Sequence, residues 1–204
     1  MMKTQKLQNI AKIRTGYTFR KVESAHESDG LLGLHISDTR DTTVVDPDKL
    51  SPVAWQGKGK PPVLEPGDVV LAAKGSHNRA VLFTSEGYAV LPSNQFMVLS
   101  VINAQQLLPE FLCWVLNYPA TQTRLAEFQA GSGIPSISKK ALATLAVPVP
   151  ELDVQQRILQ LNSLWQDEVE LTHKLLANRQ TQVKGLFQKL LSGATPQDVG
   201  DKKQ

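Results

Sequence analysis

Cysteine occurs once in these 204 residues, aromatic side chains make up 6% of them, and no long apolar run is present. A lone Cys113 excludes an internal disulfide and any site built on several thiolates; inside the apolar string PEFLCWVLN it reads as a small buried hydrophobe. No window reaches the ~18 consecutive apolar residues that a membrane span requires. The opening, MMKTQKLQNIAKIRTG, lacks the apolar stretch of a secretion signal, so the expected compartment is the cytoplasm, away from membranes. Charge of one sign is scarce too: the formal balance is +3, too mild to argue by itself for a nucleic-acid partner. Its distribution says more. Residues 1–150 hold 15 Lys and Arg against 12 Asp and Glu, whereas residues 151–204 hold 7 of each, so the whole excess sits in the first part.

Catalytic constellations are missing as well. A methyltransferase acting on an exocyclic amine calls for Asp or Asn followed by Pro-Pro-aromatic, and Asn117-Tyr118-Pro119 lacks the pair of prolines. A metal-dependent nuclease needs an acid-x-Lys triplet beside a further carboxylate; the only such triplet, Asp201-Lys202-Lys203, falls in an apolar-poor tail. Gly131-Ser132-Gly133 is neither a phosphate loop nor a nucleophile elbow. The four histidines, His26, His35, His77 and His173, show no ligand spacing. The chain therefore reads as a binding protein, not an enzyme, with no cofactor and no metal.

What is present, 41% hydrophobic and 20% charged residues, fits one globular domain with an appendage or two small domains. Val69 to Ala73, Ala80 to Thr84 and Phe96 to Ile102 are β-branched and apolar runs bounded by turn residues, and read as strands. Leu108 to Asn117, with Pro109 at the first helical position, reads as a buried helix, Ala120 to Gln129 as an amphipathic one, and Ser138 as the cap of a short helix through Leu145. The Pro- and Gly-rich stretch 41–67 is expected to be loop-rich. The sharpest boundary is Val147-Pro148-Val149-Pro150, after which a long helix is expected, capped by Asp153 with Gln156 completing a capping box. The expected fold class is α/β (α+β): a globular mixed-sheet domain over 1–147, a helix over 148–193 closed by Gly193, and a disordered tail over 194–204.

That helix carries an apolar stripe of Val154, Ile158, Leu161, Trp165, Leu175, Leu176, Val183, Leu186 and Leu190 at steps of three and four, interrupted by polar intervals. Forty residues from Asp153 to Ser192 make a rod of about 60 Å, longer than a domain of ~150 residues is wide. With charges of alternating sign along it, the rod is expected to pair with another molecule in coiled-coil fashion; the alternative is a core helix folded back on its own domain. In the first part, Lys74-Gly75-Ser76-His77-Asn78-Arg79 lies between two strands, and Asn94-Gln95 opens the next. Arg and Lys suit guanine edges, Asn and Gln adenine edges, so Lys74, His77, Asn78, Arg79, Asn94 and Gln95 are the candidate reading surface, with Lys58 and Lys60 as phosphate contacts. The alternative is an ordinary solvated hairpin.

Several strings together resemble the DNA-specificity (S) subunit of type I restriction-modification enzymes. Leu7 to Phe19 is similar to the opening of its target recognition domain. Glu65 to Leu71 followed by Lys74-Gly75 looks like its Gly-Asp-apolar strand and basic turn, and Gly131 to Ser138 resembles its Gly-Ser segment. Most specific are VPVPELDVQQRI at 147–158 and the closing Leu190-Leu191-Ser192-Gly193. Val154 departs from the family's usual glutamate; Gln155 matches. The resemblance implies half of an S subunit: one target recognition domain and one spacer helix, non-catalytic, binding double-stranded DNA. It also implies partners, a modification (methyltransferase) subunit that methylates adenine and, where restriction accompanies modification, a restriction subunit. A homodimer through the helix would read a bipartite palindromic site. The alternative class is an interaction protein that keeps the scaffold without reading DNA and occupies the modification subunit.

Overall fold

The computed structural model describes residues 4–21, 30–55, 57–75, 77–130 and 134–193. The expected tail from Ala194 to Gln204, with Asp201-Lys202-Lys203, lies outside them, as do His26, Ser76 and Gly131-Ser132-Gly133. The chain divides into two units, residues 1–159 and 160–204.

In the first unit the order is β1 (Thr4–Lys6), α1 (Leu7–Ile10), β2 (Ala11–Thr15), β3 (Arg20–Lys21), β4 (Leu31–Leu34), β5 (Ser51–Ala54), β6 (Val69–Ala72), β7 (Ala80–Leu82), β8 (Ala89–Pro92) and β9 (Phe96–Val101). There follow α2 (Pro109–Asn117), α3 (Pro119–Glu127), β10 (Gln129–Ala130), β11 (Ser136–Ile137), α4 (Lys139–Thr144), β12 (Ala146–Pro148) and the start of α5 (Leu152–Leu191). One four-stranded sheet runs β2-β9-β6-β7, antiparallel throughout; a second runs β3-β5-β4-β8, with β4 and β8 parallel. The class is thus mixed α/β with a long C-terminal helix.

The apolar runs form strands because both faces of the first sheet are covered. Side chains alternate along a strand, and in β6 and its neighbours they feed two different cores. Val69, Leu71 and Leu99 face a core completed by Leu7, Phe111, Leu112 and Leu142 from α1, α2 and α4. Val70, Val98 and Phe96 face a core completed by Leu34, Val90 and Phe83, where β4 and β8 of the second sheet lie. Fully burying a Leu or Phe contributes roughly 1.5–3 kcal/mol, so this sheet is the rigid middle on which the loops are mounted.

The loop-rich stretch 41–67 also holds β5 and a 3-10 turn over Pro47–Lys49 capped by Asp46. The expected helix cap needs correction. Helix α5 starts at Leu152, so Asp153 lies inside its first turn and pairs with Arg157 at 3.4 Å instead of capping it. Ser138 caps α4 as expected, its hydroxyl accepting from Ala141 N at 3.1 Å. Gly193 closes α5 at φ 73°.

Candidate nucleic-acid interface

The loop between β6 and β7 is shaped from below. Gly75 sits at φ 97°, a conformation that a side chain would strain, and donates its N–H to Pro135 O at 2.9 Å. Lys74, half-buried, bridges to Ser136. Gln129 Nε2 donates to Gly75 O at 3.2 Å and to Asn78 Oδ1 at 2.7 Å; Gln122 Nε2 donates to Asn78 O at 2.8 Å. Asn78 Nδ2 in turn donates to Ala72 O at 2.8 Å, and the residue is only 4% exposed. The expectation that Asn78 reads a base is corrected: its amide is turned inward and spent on holding the loop. His77 and Arg79 are exposed, and Arg79 Nη1 donates to Arg40 O at 2.5 Å. Arg40, Lys74, His77 and Arg79 line a cleft of about 830 Å³.

The turn between β8 and β9 joins this loop to the rest of the candidate surface. On one side Gln95 O accepts from Ala73 N at 2.8 Å, next to Lys74; on the other, exposed Asn94 donates through Nδ2 to Thr18 Oγ1 at 3.1 Å. Gly16 makes the approach possible: a Cβ there would stand 1.9 Å from Ser93 O. Tyr17 then packs edge-to-face on Trp55, ring centroids 5.6 Å apart, and Trp55 Nε1 donates to Gly59 O at 3.2 Å between exposed Lys58 and Lys60. These bonds and the ring contact bring together the segments that carry Lys58 and Lys60, Trp55, Tyr17, Asn94 and Gln95, and Lys74. Sequence reading missed Tyr17, Trp55 and Arg40. Aromatics beside loop lysines are a signal for the first two; nothing in the string marks Arg40.

Electrostatics set an edge to this surface. Beyond Arg40 lies a cleft of about 670 Å³ lined by Asp38, Asp41, Asp46 and Asp48. The hydrogen bond from Lys49 holds Asp46 below the usual carboxylate range, and a hydrogen bond to Asp48 pushes the Tyr88 phenol up. Carboxylates there repel phosphates, while Arg40, Lys74 and Arg79 attract them. Among the described residues no group of three or more His, Cys, Asp or Glu is arranged to hold a metal ion.

The expected helical stripe falls on both sides of the division between the units. Within the first unit, Gln155 of α5 is fully buried: its Oε1 accepts from Leu108 N at 2.9 Å and its Nε2 donates to Gln106 O and Pro150 O, both at 2.8 Å. Ile158 packs, partly buried, on the first core, and Val154 is 38% exposed. In the second unit Leu161, Trp165, Leu175, Leu176, Val183, Leu186 and Leu190 are all exposed, from 45% at Val183 to 69% at Leu161, and Leu164, Leu171 and Phe187 join them. Among the described residues no helix is long and apolar enough to cross a membrane.

The family profile described as type I restriction modification DNA specificity domain matches residues 2–178. Among solved structures, the chain is similar to the HsdS subunit from Thermoanaerobacter tengcongensis, at 21% identity and a TM-score of 0.67 over 97% of this chain and 45% of that one. A structure titled for complex assembly and conformational transition of the type I R-M system matches at 20% identity and a TM-score of 0.66, over 94% of this chain and 45% of that one. The type I S subunit from M. genitalium matches at 13% identity and 0.56, over 94% and 46%. The chain thus spans about half the length of these proteins, and at such identities the likeness is one of fold. No curated protein matches significantly.

Proposed function

Because this chain belongs to the type I restriction modification DNA specificity domain family, we propose that it is the sequence-reading component of such a complex and works as a homodimer. Two copies joined through the second-unit helices present two equal recognition domains, and a two-fold axis between them makes the site they read a bipartite palindrome. The chain supplies the address; a modification subunit supplies the S-adenosylmethionine chemistry on an extruded adenine, with a restriction subunit where cleavage accompanies modification. Lys58, Lys60, Lys74 and His77 contribute charge and hydrogen bonds to the duplex, and Arg79, Asn94 and Gln95 face base edges. The work belongs in the cytoplasm, where the duplex is.

The observation that carries this reading is the run of large apolar side chains from Leu161 to Leu190 exposed to solvent on one helix. Exposed apolar surface of that extent marks an interaction face. The bonds that bring the segments carrying Lys58 and Lys60, Tyr17 and Trp55, Asn94 and Gln95, and Lys74 together on the sheet support the DNA-reading part.

The test is co-expression of this 204-residue chain with the modification subunit of its own system in a host free of other adenine methylation, followed by sequencing that detects N6-methyladenine. A new mark within a two-part inverted repeat is expected. A complex that forms without any mark would overturn the reader and favour the occupying, non-reading protein, to which the mild +3 charge lends some support.

A further inference from the structure

Arg40 and Arg79 meet at the cleft in unequal states. Arg79 is tethered, its Nη1 donating to the Arg40 carbonyl at 2.5 Å. Arg40's side chain is exposed on the rim, lining both the basic cleft and the acidic one beside it. Neither guanidinium forms an ion pair among the described residues. The nearest carboxylates in the chain, Asp38 and Asp41, line the acidic cleft, and Asp38 accepts from His35 N at 2.8 Å and Ser37 Oγ at 3.0 Å. Both arginines line the basic cleft together with Lys74, and this concentration of positive charge suits an anionic, acceptor-rich ligand.

The two states suit different tasks. Reading a base edge needs a guanidinium fork in a fixed plane; Arg79 has given up one of its five N–H donors to gain that plane, and its Nη2–Nε edge stays available for a bidentate contact. A fork fixed before binding loses less entropy on contact. An untethered arginine on a rim instead delivers charge to phosphate, which tolerates loose geometry and carries no sequence information.

We propose that the two arginines divide the work, Arg79 reading a base with its fork held by the Arg40 carbonyl while the Arg40 side chain grips phosphate at the boundary between the basic and acidic clefts. This rests on the reading of the cleft as a DNA interface. Arg40→Ala separates the two roles, because it deletes the side chain and keeps the carbonyl that tethers Arg79.

The experiment uses the complex with the modification subunit and two readouts: binding to a mixed-sequence duplex across a salt series, and the motif methylated in genomic DNA. Arg40→Ala is expected to weaken mixed-sequence binding and to flatten the slope of log K against log salt by about 0.9 for each recognition domain engaged, with the motif unchanged. Arg79→Lys, which keeps the charge and loses the fork, is expected to keep mixed-sequence binding and to relax one position in each half of the motif. An unchanged slope in Arg40→Ala, a motif altered by it, or a motif left intact by Arg79→Lys overturns the proposal, provided that circular dichroism and the thermal midpoint show both variants folded. A wild-type complex that neither binds mixed-sequence duplex nor marks any motif overturns instead the reading on which the proposal stands.

Discussion

Asp68 is 3% exposed, a burial that a carboxylate tolerates because both of its oxygens are hydrogen-bonded and one faces Arg14. Oδ2 accepts from Arg14 Nη2 and from Glu65 N, each at 3.0 Å, and Oδ1 from Ser100 Oγ at 2.6 Å; Arg14 also donates to Pro62 O and Val63 O. The pair thus nails the 61–65 segment to β2 and β9. Asp68→Ala would leave the half-buried guanidinium without its counter-ion, holding only the Pro62 and Val63 carbonyls, and Glu65 N without its acceptor; breaking a buried pair costs about 3–5 kcal/mol. Thermal or urea unfolding checks this, and a loss below 1 kcal/mol would show that the network contributes little. Cys113 makes a second residue-scale prediction. Burial first, and the nearby Glu110 charge second, push its thiol from 9.0 up to about 12. The thiolate is the nucleophile, so at pH 8 alkylation of the native chain should be far slower than in denaturant. A folded-state value above the unfolded one also means that this group's contribution to stability, complete below pH 9, fades as pH rises toward 12. Cys113→Ala should remove that part of the alkaline loss.

At the scale of elements, the first turns of α5, which belong to the first unit, are held there by one buried amide and by Ile158 and Leu159 on the core. Gln155 satisfies the Leu108 N–H at the start of α2 and two carbonyls of the 106 and 150 turns. Leaving a buried backbone group unpaired costs about 1–3 kcal/mol, so Gln155→Ala should lower first-unit stability by roughly 3 kcal/mol, and Gln155→Glu, which loses the donors and sets a buried carboxyl oxygen against the Gln106 and Pro150 carbonyls, should cost at least as much. Equal melting of all three forms would show that water takes over those bonds. This element also shows what a string of letters can reveal. Strands β6, β7 and β9 and helices α2 to α5 were legible because burial on both faces or on a sustained helical stripe leaves long apolar patterns. Strand β2, with Lys12 and Arg14 among five residues, and β5, with Pro52 among four, are too short and too polar to stand out. Their identity comes from partners in β9 and β4 far along the chain. The candidate loops were legible by composition, yet the inward turn of Asn78 was not, since it is decided by Gln122 and Gln129 from helices and strands 44 and 51 residues away. The stripe was legible in its residues but not in its limits: nothing in the spacing of Ile158 distinguishes it from Leu161, although one packs on the first core and the other is exposed.

For the whole molecule, pairing and DNA affinity should rise and fall together. Trp165 is 60% exposed in the single chain, so replacing it removes little from the fold of that chain; in a helical pair it would be among the largest buried side chains. Trp165→Glu places a charge in the seam on each copy, facing apolar surface, and should convert a dimer at micromolar concentration to monomer in sedimentation while the thermal midpoint of the first unit stays put. The consequence for DNA follows from linkage of two sites. Two recognition domains on one assembly bind as a bivalent ligand, and losing the second typically forfeits a factor of about 10² to 10⁴ in affinity. Each domain brings its own phosphate contacts, so the slope of log K against log salt should fall to about half in the monomer, because that slope scales with the number of phosphates neutralised. A variant that is monomeric and yet keeps both the affinity and the slope of the parent would mean that the helices do not deliver the second reader, whatever else they bind. A parent already monomeric at that concentration, with half the expected slope, would point the same way without any substitution.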